Sequence, residues 1–212
     1  MRTSGLVSSI LLLLGLCTAG CEPRAGTTTS GLPEEPIDTS QLELSDTSGA
    51  PCDPFAGADH IVVLLFTAID CPISNRYAPE VARLCEQYSE RGVDFWLVYP
   101  RPSTTAEAAE AHRQEYAYPC PAFRDPDRAV ARLCGATITP EAVVFDTNRR
   151  LRYRGRINNR YVDFGKTRAQ ATQHDLADAL DALLAGEQVP TPITEAIGCP
   201  IYGTAAQRQA SD

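Results

Sequence analysis

The chain has 212 residues and a formal net charge of −8, with 19 Lys and Arg against 27 Asp and Glu. That balance argues against nucleic acid as a partner and gives no attraction to an anionic membrane surface. The length suits one globular domain with extensions at its ends.

Arg2 precedes an apolar stretch, Leu6 to Leu16, broken only by Ser8, Ser9 and Gly15, and then comes Thr18-Ala19-Gly20-Cys21. A basic start, an apolar stretch of about ten residues and small residues before a cleavage point describe a signal peptide over residues 1–20. The stretch is shorter than the roughly 20 apolar residues of a spanning helix. Small residues just ahead of Cys21 are similar to a bacterial lipobox. Cys21 is therefore the expected lipidation site, and the bacterial cell envelope the expected location, with the domain lipid-anchored and facing the periplasm or exterior. An ordinary signal peptide cut nearby is the alternative. Residues 21–50 are rich in Thr, Ser, Pro, Gly and acidic side chains without apolar periodicity, which predicts a flexible tether. A folded domain is expected over 51–188 and a tail carrying Cys199 over 189–212.

Within the domain, the continuous apolar run Ile61 to Phe66 reads as a buried strand, and Ile73 to Tyr88 follows as a helix with apolar residues at helical spacing. Pro79 lies inside that helix and should kink it. Val93 to Tyr99 reads as a second buried strand, and Thr104-Thr105-Ala106-Glu107 resembles a capping box for a helix reaching about Tyr116. Ala122 to Arg124 predicts a short strand and Asp127 to Leu133 a short helix. Ala142 to Asp146 and Leu151 to Ile157 flank a turn and form an expected hairpin. Thr172 to Leu184 is the last helix. This order is α/β with a mixed central sheet.

Cys71 is the most informative position. It emerges at the C-terminal edge of the first strand and opens a helix, where unpaired N–H groups and the helix dipole favour a thiolate. The position three residues on, where a redox pair would place its second cysteine, holds Ser74. Of eight cysteines, Cys17 and Cys21 belong to the signal region, leaving Cys52, Cys71, Cys85, Cys120, Cys134 and Cys199. An exported compartment permits disulfides, and sequence leaves their pairing open. Cys52, Cys85, Cys120 and Cys134 are expected to be structural staples. The three histidines lie far apart, without closely spaced Cys/His pairs, so neither a metal nor another cofactor is expected. His60, His112 and His174 read as incidental, Asn75 as exposed, and Arg154 and Arg156 as solvated.

The layout from about Asp59 to Leu184 resembles the thioredoxin superfamily. Phe66 to Ser74 is similar to that family's strand-to-cysteine signature. Pro79 stands at the offset of its kink proline, and Thr139-Pro140 before a strand is similar to its cis-proline loop. Asp70 to Glu80 and Gly198-Cys199-Pro200-Ile201 resemble the motifs of bacterial redoxin-domain proteins of the TlpA and peroxiredoxin-like kind. The resemblance implies a thioredoxin-like three-layer fold and thiol-dependent oxidoreductase chemistry. Cys71 and Cys199 are then the expected catalytic residues, supported by Ser74, Thr139 and Pro140. The expected partners are a protein or small-molecule thiol or disulfide, or a peroxide, with an electron donor in the envelope.

Four departures separate the chain from the best-known members. Ser74 forbids a local disulfide, Asp70 replaces a tryptophan and should raise the Cys71 pKa, and Leu65 occupies the place of a buried acid. Thr67 lies four residues before the cysteine, where a peroxidase signature has threonine three before. The competing expectation is a redox-silent thioredoxin-fold binding module in which Cys71–Cys199 is a structural disulfide.

Overall fold

The computed structural model describes residues 31–57 and 59–202. The principal elements are β1 (Ile61–Phe66), α1 (Pro72–Tyr88), β2 (Val93–Tyr99), α2 (Ala106–Glu115), β3 (Ala122–Arg124), α3 (Ala129–Cys134) and β4 (Ile138–Thr139). They continue with β5 (Glu141–Phe145), β6 (Leu151–Gly155), β7 (Tyr161–Asp163), β8 (Lys166–Thr167), α4 (Asp175–Leu184) and β9 (Cys199–Pro200). The central sheet runs β3-β2-β1-β5-β6, parallel through β3, β2 and β1 and antiparallel through β5 and β6. This is the expected thioredoxin-like α/β fold with a mixed sheet.

Alternation along β1 divides the core into two layers. Ile61, Val63 and Leu65 pack with Val81, Leu84 and Tyr88 of α1 and with Leu176 and Leu180 of α4. Val62, Leu64 and Phe66 point to the other face, against Val130, Ala131 and Cys134 of α3. All six β1 residues are buried, which is why the strand reads as unbroken apolar sequence. Among the described residues, no helix is long and apolar enough to cross a membrane.

Three boundaries depart from expectation for identifiable reasons. α4 begins at Asp175 because the Asn159 side chain takes the backbone N–H groups of Thr172 (2.8 Å) and Gln173 (3.1 Å), holding that segment out of the helix. α3 begins at Ala129 because Arg128 adopts φ 57° and the Asp125 carboxylate accepts from the N–H groups of Val130 and Ala131. The cap of α2 is Thr105, whose hydroxyl accepts from Ala108 N.

The tether expected over 21–50 needs a larger correction. From residue 31 onward it is folded onto the domain. Leu32 is buried, and Ile37, Leu42 and Leu44 pack against the second core layer. Ile37 N bonds Arg149 O at 3.0 Å, and Thr47 N bonds Ala122 O at 3.2 Å. Four aliphatic side chains spaced along a polar segment suffice to seat it, although they follow no helix or strand period. The signal region and Cys21 lie outside the described residues, as does the end of the tail beyond residue 202.

The tail itself runs back across the molecule. Arg154 N bonds Pro192 O and Thr194 N bonds Arg154 O, and Ile201 N then bonds Thr137 O. Buried Ile201 joins the second core layer and anchors the far end.

Candidate active site

β1 delivers the chain to the sheet edge, and Cys71 N-caps α1 with Pro72 following in the first turn. The Cys71 side chain is fully buried, and its Sγ donates to the carbonyl oxygen of Thr139 at 3.1 Å. The Thr139–Pro140 peptide bond is cis. β4 pairs antiparallel with β9, placing Thr139 opposite Cys199, and the Thr139 hydroxyl donates to the Cys199 carbonyl at 3.2 Å. Cys199, partly exposed, thereby sits with its sulfur beside that of Cys71. The structure thus gathers Cys71, Ser74, Thr139, Pro140 and Cys199 from three separate parts of the sequence.

The two thiols have opposite acidities. Burial alone would push the Cys71 thiol up, but hydrogen bonds to the thiolate from Cys199 and from the Ser74 side chain outweigh it, and the pKa lies below the usual thiol range. The backbone N–H groups of Ser74 and Cys199 act in the same direction. The Ser74 hydroxyl is buried and has no other hydrogen-bond partner, so it is available to the thiolate. Cys199 is pushed up to about 12, first by burial and then by its bond to Cys71 and that neighbour's charge. One sulfur is built to carry the charge and the other to hold the proton.

The expectation that Asp70 raises the Cys71 pKa is overturned. Asp70 faces outward and pairs with Arg101 at 3.1 Å. Its charge acts on Cys199 instead, where Arg101 opposes it.

The expectation of an exposed Asn75 and an incidental His112 also fails. Asn75, one residue beyond Ser74, donates to Ile69 O (3.2 Å) in the loop that precedes Cys71, and to the Tyr116 hydroxyl (3.0 Å). Its carbonyl faces His112 Nε2 at 3.0 Å, and His112 Nδ1 faces the Tyr99 hydroxyl at 2.9 Å. A neutral imidazole protonated on Nε2 completes all of these bonds. His112 is 5% exposed, and burial holds its pKa below the usual imidazole range. The network ties α2 to the cysteine loop.

His112→Ala leaves the Asn75 carbonyl and the Tyr99 hydroxyl unpaired, an expected loss of about 2–4 kcal/mol in denaturant unfolding. The depressed pKa adds a pH signature. The unfolded chain takes up the His112 proton near pH 6.5, above the folded value. The wild type therefore loses stability as pH falls below about 6.5, and His112→Ala lacks that part of the slope. An unchanged midpoint and unchanged slope would remove the network's role.

Glu141 is a further residue that sequence reasoning passed over. It is 5% exposed, and its Oε2 accepts from Thr137 N (2.8 Å) and Ile138 N (3.1 Å), fastening the loop that carries Thr139. Arg154 and Arg156, expected to be solvated, are both engaged. Arg156 forks onto Asp175 at 2.8 and 3.0 Å, and Arg154 reaches Cys134 O at 3.2 Å beside Glu141. No disulfide joins the six described cysteines; Cys52 and Cys134 are separate thiols raised by burial, Cys52 to about 11.

A model of the AhpC/TSA family matches residues 38–154, more than half of the chain. The chain belongs to the AhpC/TSA family. The match begins inside the stretch first read as a tether and ends before Cys199, so β9 is an addition beyond the matched residues. Among solved structures, a hypothetical protein from Sinorhizobium meliloti 1021 is 28% identical with a TM-score of 0.68, over 77% of this chain and 91% of that one. An uncharacterized conserved protein from Geobacillus kaustophilus is 25% identical with a TM-score of 0.70, over 82% and 92%. DsbF of MTB, solved in mixed oxidized and reduced forms, shares the fold at 19% identity and a TM-score of 0.52, over 68% and 95%. No curated protein matches the chain.

Proposed function

We propose that this redoxin is an envelope thiol–disulfide oxidoreductase in which Cys71 is the nucleophile and Cys199 resolves the intermediate. The observation that carries the reading is the register of β4 on β9, which sets Cys199 opposite Thr139, the residue whose carbonyl oxygen accepts from the Cys71 thiol. A Cys71 thiolate attacks a substrate disulfide and expels one substrate thiolate. Cys199 then gives up its proton and attacks the Cys71 sulfur, expelling the second. The substrate leaves as two thiols, and the protein keeps both oxidised sulfurs as a Cys71–Cys199 disulfide.

The unequal acidities of the two thiols support a return path through Cys199. Cys199 is partly exposed while Cys71 is buried, so an external thiolate meets Cys199 first. Cys71, whose thiolate the site stabilises, is the sulfur that departs, and the better-stabilised thiolate is the faster leaving group. Burial of Cys71 supports a second substrate class. Attack of the Cys71 thiolate on a small peroxide yields a sulfenic acid and an alcohol or water. Cys199 then condenses with the sulfenic acid and releases water. On the sequence reading of residues 1–20, the domain is exported and held at the membrane through Cys21.

Thiol mapping of the folded chain before and after mild reductant tests the proposal. The expected result is a Cys71–Cys199 disulfide that opens under mild dithiol without denaturant and closes again with a disulfide or peroxide. If Cys71 resists labelling and the bond survives strong reductant in the native protein, the pair is a permanent staple and the chain a redox-silent module.

A further inference from the structure

A second pair of thiols lies at the opposite end of α1. Cys85 stands in the last turn of that helix and Cys120 in the loop leading into the edge strand β3. Their exposures are 6% and 5%, and both belong to the core layer beneath α1. Both also line one cleft of about 330 Å³, together with Phe95, Trp96, Pro119 and Pro121. The pair is therefore shielded from bulk water yet open to a reagent that enters the cleft.

We propose that Cys85 and Cys120 are a second disulfide-forming site, closed by exchange with an external disulfide and then held as a lasting staple between α1 and the edge of the sheet. One thiolate attacks the external disulfide and releases half of it as a thiolate, leaving a mixed disulfide. The other cysteine loses its proton, attacks the protein sulfur of that mixed disulfide and releases the second half. Two protein thiols lose two protons and two electrons, and the external disulfide gains both as two thiols.

The two pairs do not exchange with each other inside one molecule. Cys71 and Cys85 are separated by 14 positions of one helix, roughly 20 Å at its rise per residue. The oxidant for Cys85 and Cys120 therefore comes from outside.

The ends of α1 also give the pairs different chemistry. Cys71 has the N-terminal end, whose dipole and N–H groups favour a thiolate, whereas Cys85 has the C-terminal end, which disfavours one. The neighbouring Cys120 sulfur and burial together hold the Cys85 thiol far above the usual range. A sulfur that resists becoming a thiolate is a poor leaving group, so attack on the Cys120 sulfur reopens the bond slowly, and the burial of both sulfurs limits attack on either. The Cys71–Cys199 bond, by contrast, has a good leaving group and reopens readily. One helix thus carries a labile pair at its start and a durable one at its end.

The test is to incubate the reduced full chain with oxidised glutathione, alkylate remaining thiols under denaturing conditions and map the peptides. The expected product is a linked Cys85–Cys120 peptide that survives a dithiol concentration sufficient to reopen Cys71–Cys199. The oxidised wild type is expected to melt roughly 5 °C or more above the Cys85→Ser, Cys120→Ser double variant, which still closes Cys71–Cys199. Complete alkylation of Cys85 and Cys120 after Cys71–Cys199 has closed would overturn the proposal, and so would glutathione retained on either residue. The wild-type map decides the matter should the double variant fail to fold. Closure of Cys85–Cys120 without Cys71–Cys199 would sustain this site while sinking the catalytic reading.

Discussion

Cys71→Ser is expected to abolish thiol-dependent turnover, a fall of at least about a thousandfold, as removal of a nucleophile does when no other group can replace it. Cys199→Ser is expected to fail differently. Cys71 still attacks, but the mixed disulfide or sulfenic acid has no partner at hand and accumulates on the protein. Mass analysis after one equivalent of oxidant distinguishes the two, because Cys71→Ser gives no adduct at the site and Cys199→Ser gives a stable one on Cys71. The acidity of the site supplies a second readout. Hydrogen bonds to the thiolate hold Cys71 below the usual thiol range, so its alkylation rate should reach half of its maximum at a lower pH than that of an ordinary thiol. Ser74→Ala removes one donor to the charged form, and the midpoint should move upward. A midpoint that stays put would show that the Ser74 hydroxyl does not serve the thiolate, and an unchanged turnover in Cys71→Ser would remove the proposed chemistry altogether.

What the sequence discloses about this molecule is what local pattern can carry. β1 and β2 are legible because both faces of a central parallel strand are buried and leave unbroken apolar runs. Cys71, Pro79 and Thr139-Pro140 are legible because each sits at a fixed offset from such a strand. Cys199 is legible as a second thiol through its short Gly-Cys-Pro-Ile motif, but the strand pairing that places it is set by a contact 60 positions away. The Asn75–His112 network spans 37 positions and leaves no periodic trace, since a single histidine in a polar helix looks the same whether it faces water or the core. Asp70 misleads for a related reason. Its position along the chain is adjacent to Cys71, but its side chain turns outward to Arg101, and electrostatics follows direction and distance rather than sequence order. Residues 31–50 mislead because composition reports the average of a segment, while Leu32, Ile37, Leu42 and Leu44 are enough to seat it.

Gly198→Ala should separate proximity from chemistry at this site, because it moves the second sulfur without removing it. A Cβ built on Gly198 overlaps the Thr139 carbonyl oxygen and lies 2.7 Å from its carbon. Both are backbone atoms in a loop already gripped by Glu141, so the glycine side of the contact must yield. β9 is held to β4 by only a short ladder, with Thr139 opposite Cys199 and Ile138 opposite Pro200. Displacing it therefore carries Cys199 away from Cys71. The expected stability loss is about 1–3 kcal/mol, typical of inserting a methyl group where there is no room. The larger effect is kinetic, since a displacement near 1 Å costs on the order of a hundredfold in a positioned reaction. Closure of the Cys71–Cys199 disulfide, followed by quenched alkylation after one equivalent of oxidant, should slow by roughly that factor. The first attack by Cys71 should change less, because it does not need the second sulfur, although loss of the hydrogen bonds from Cys199 moves the midpoint of Cys71 alkylation upward. Closure at the wild-type rate in a folded Gly198→Ala protein would mean that β9 does not set the spacing of the two sulfurs, and Cys199 would lose its place in the mechanism.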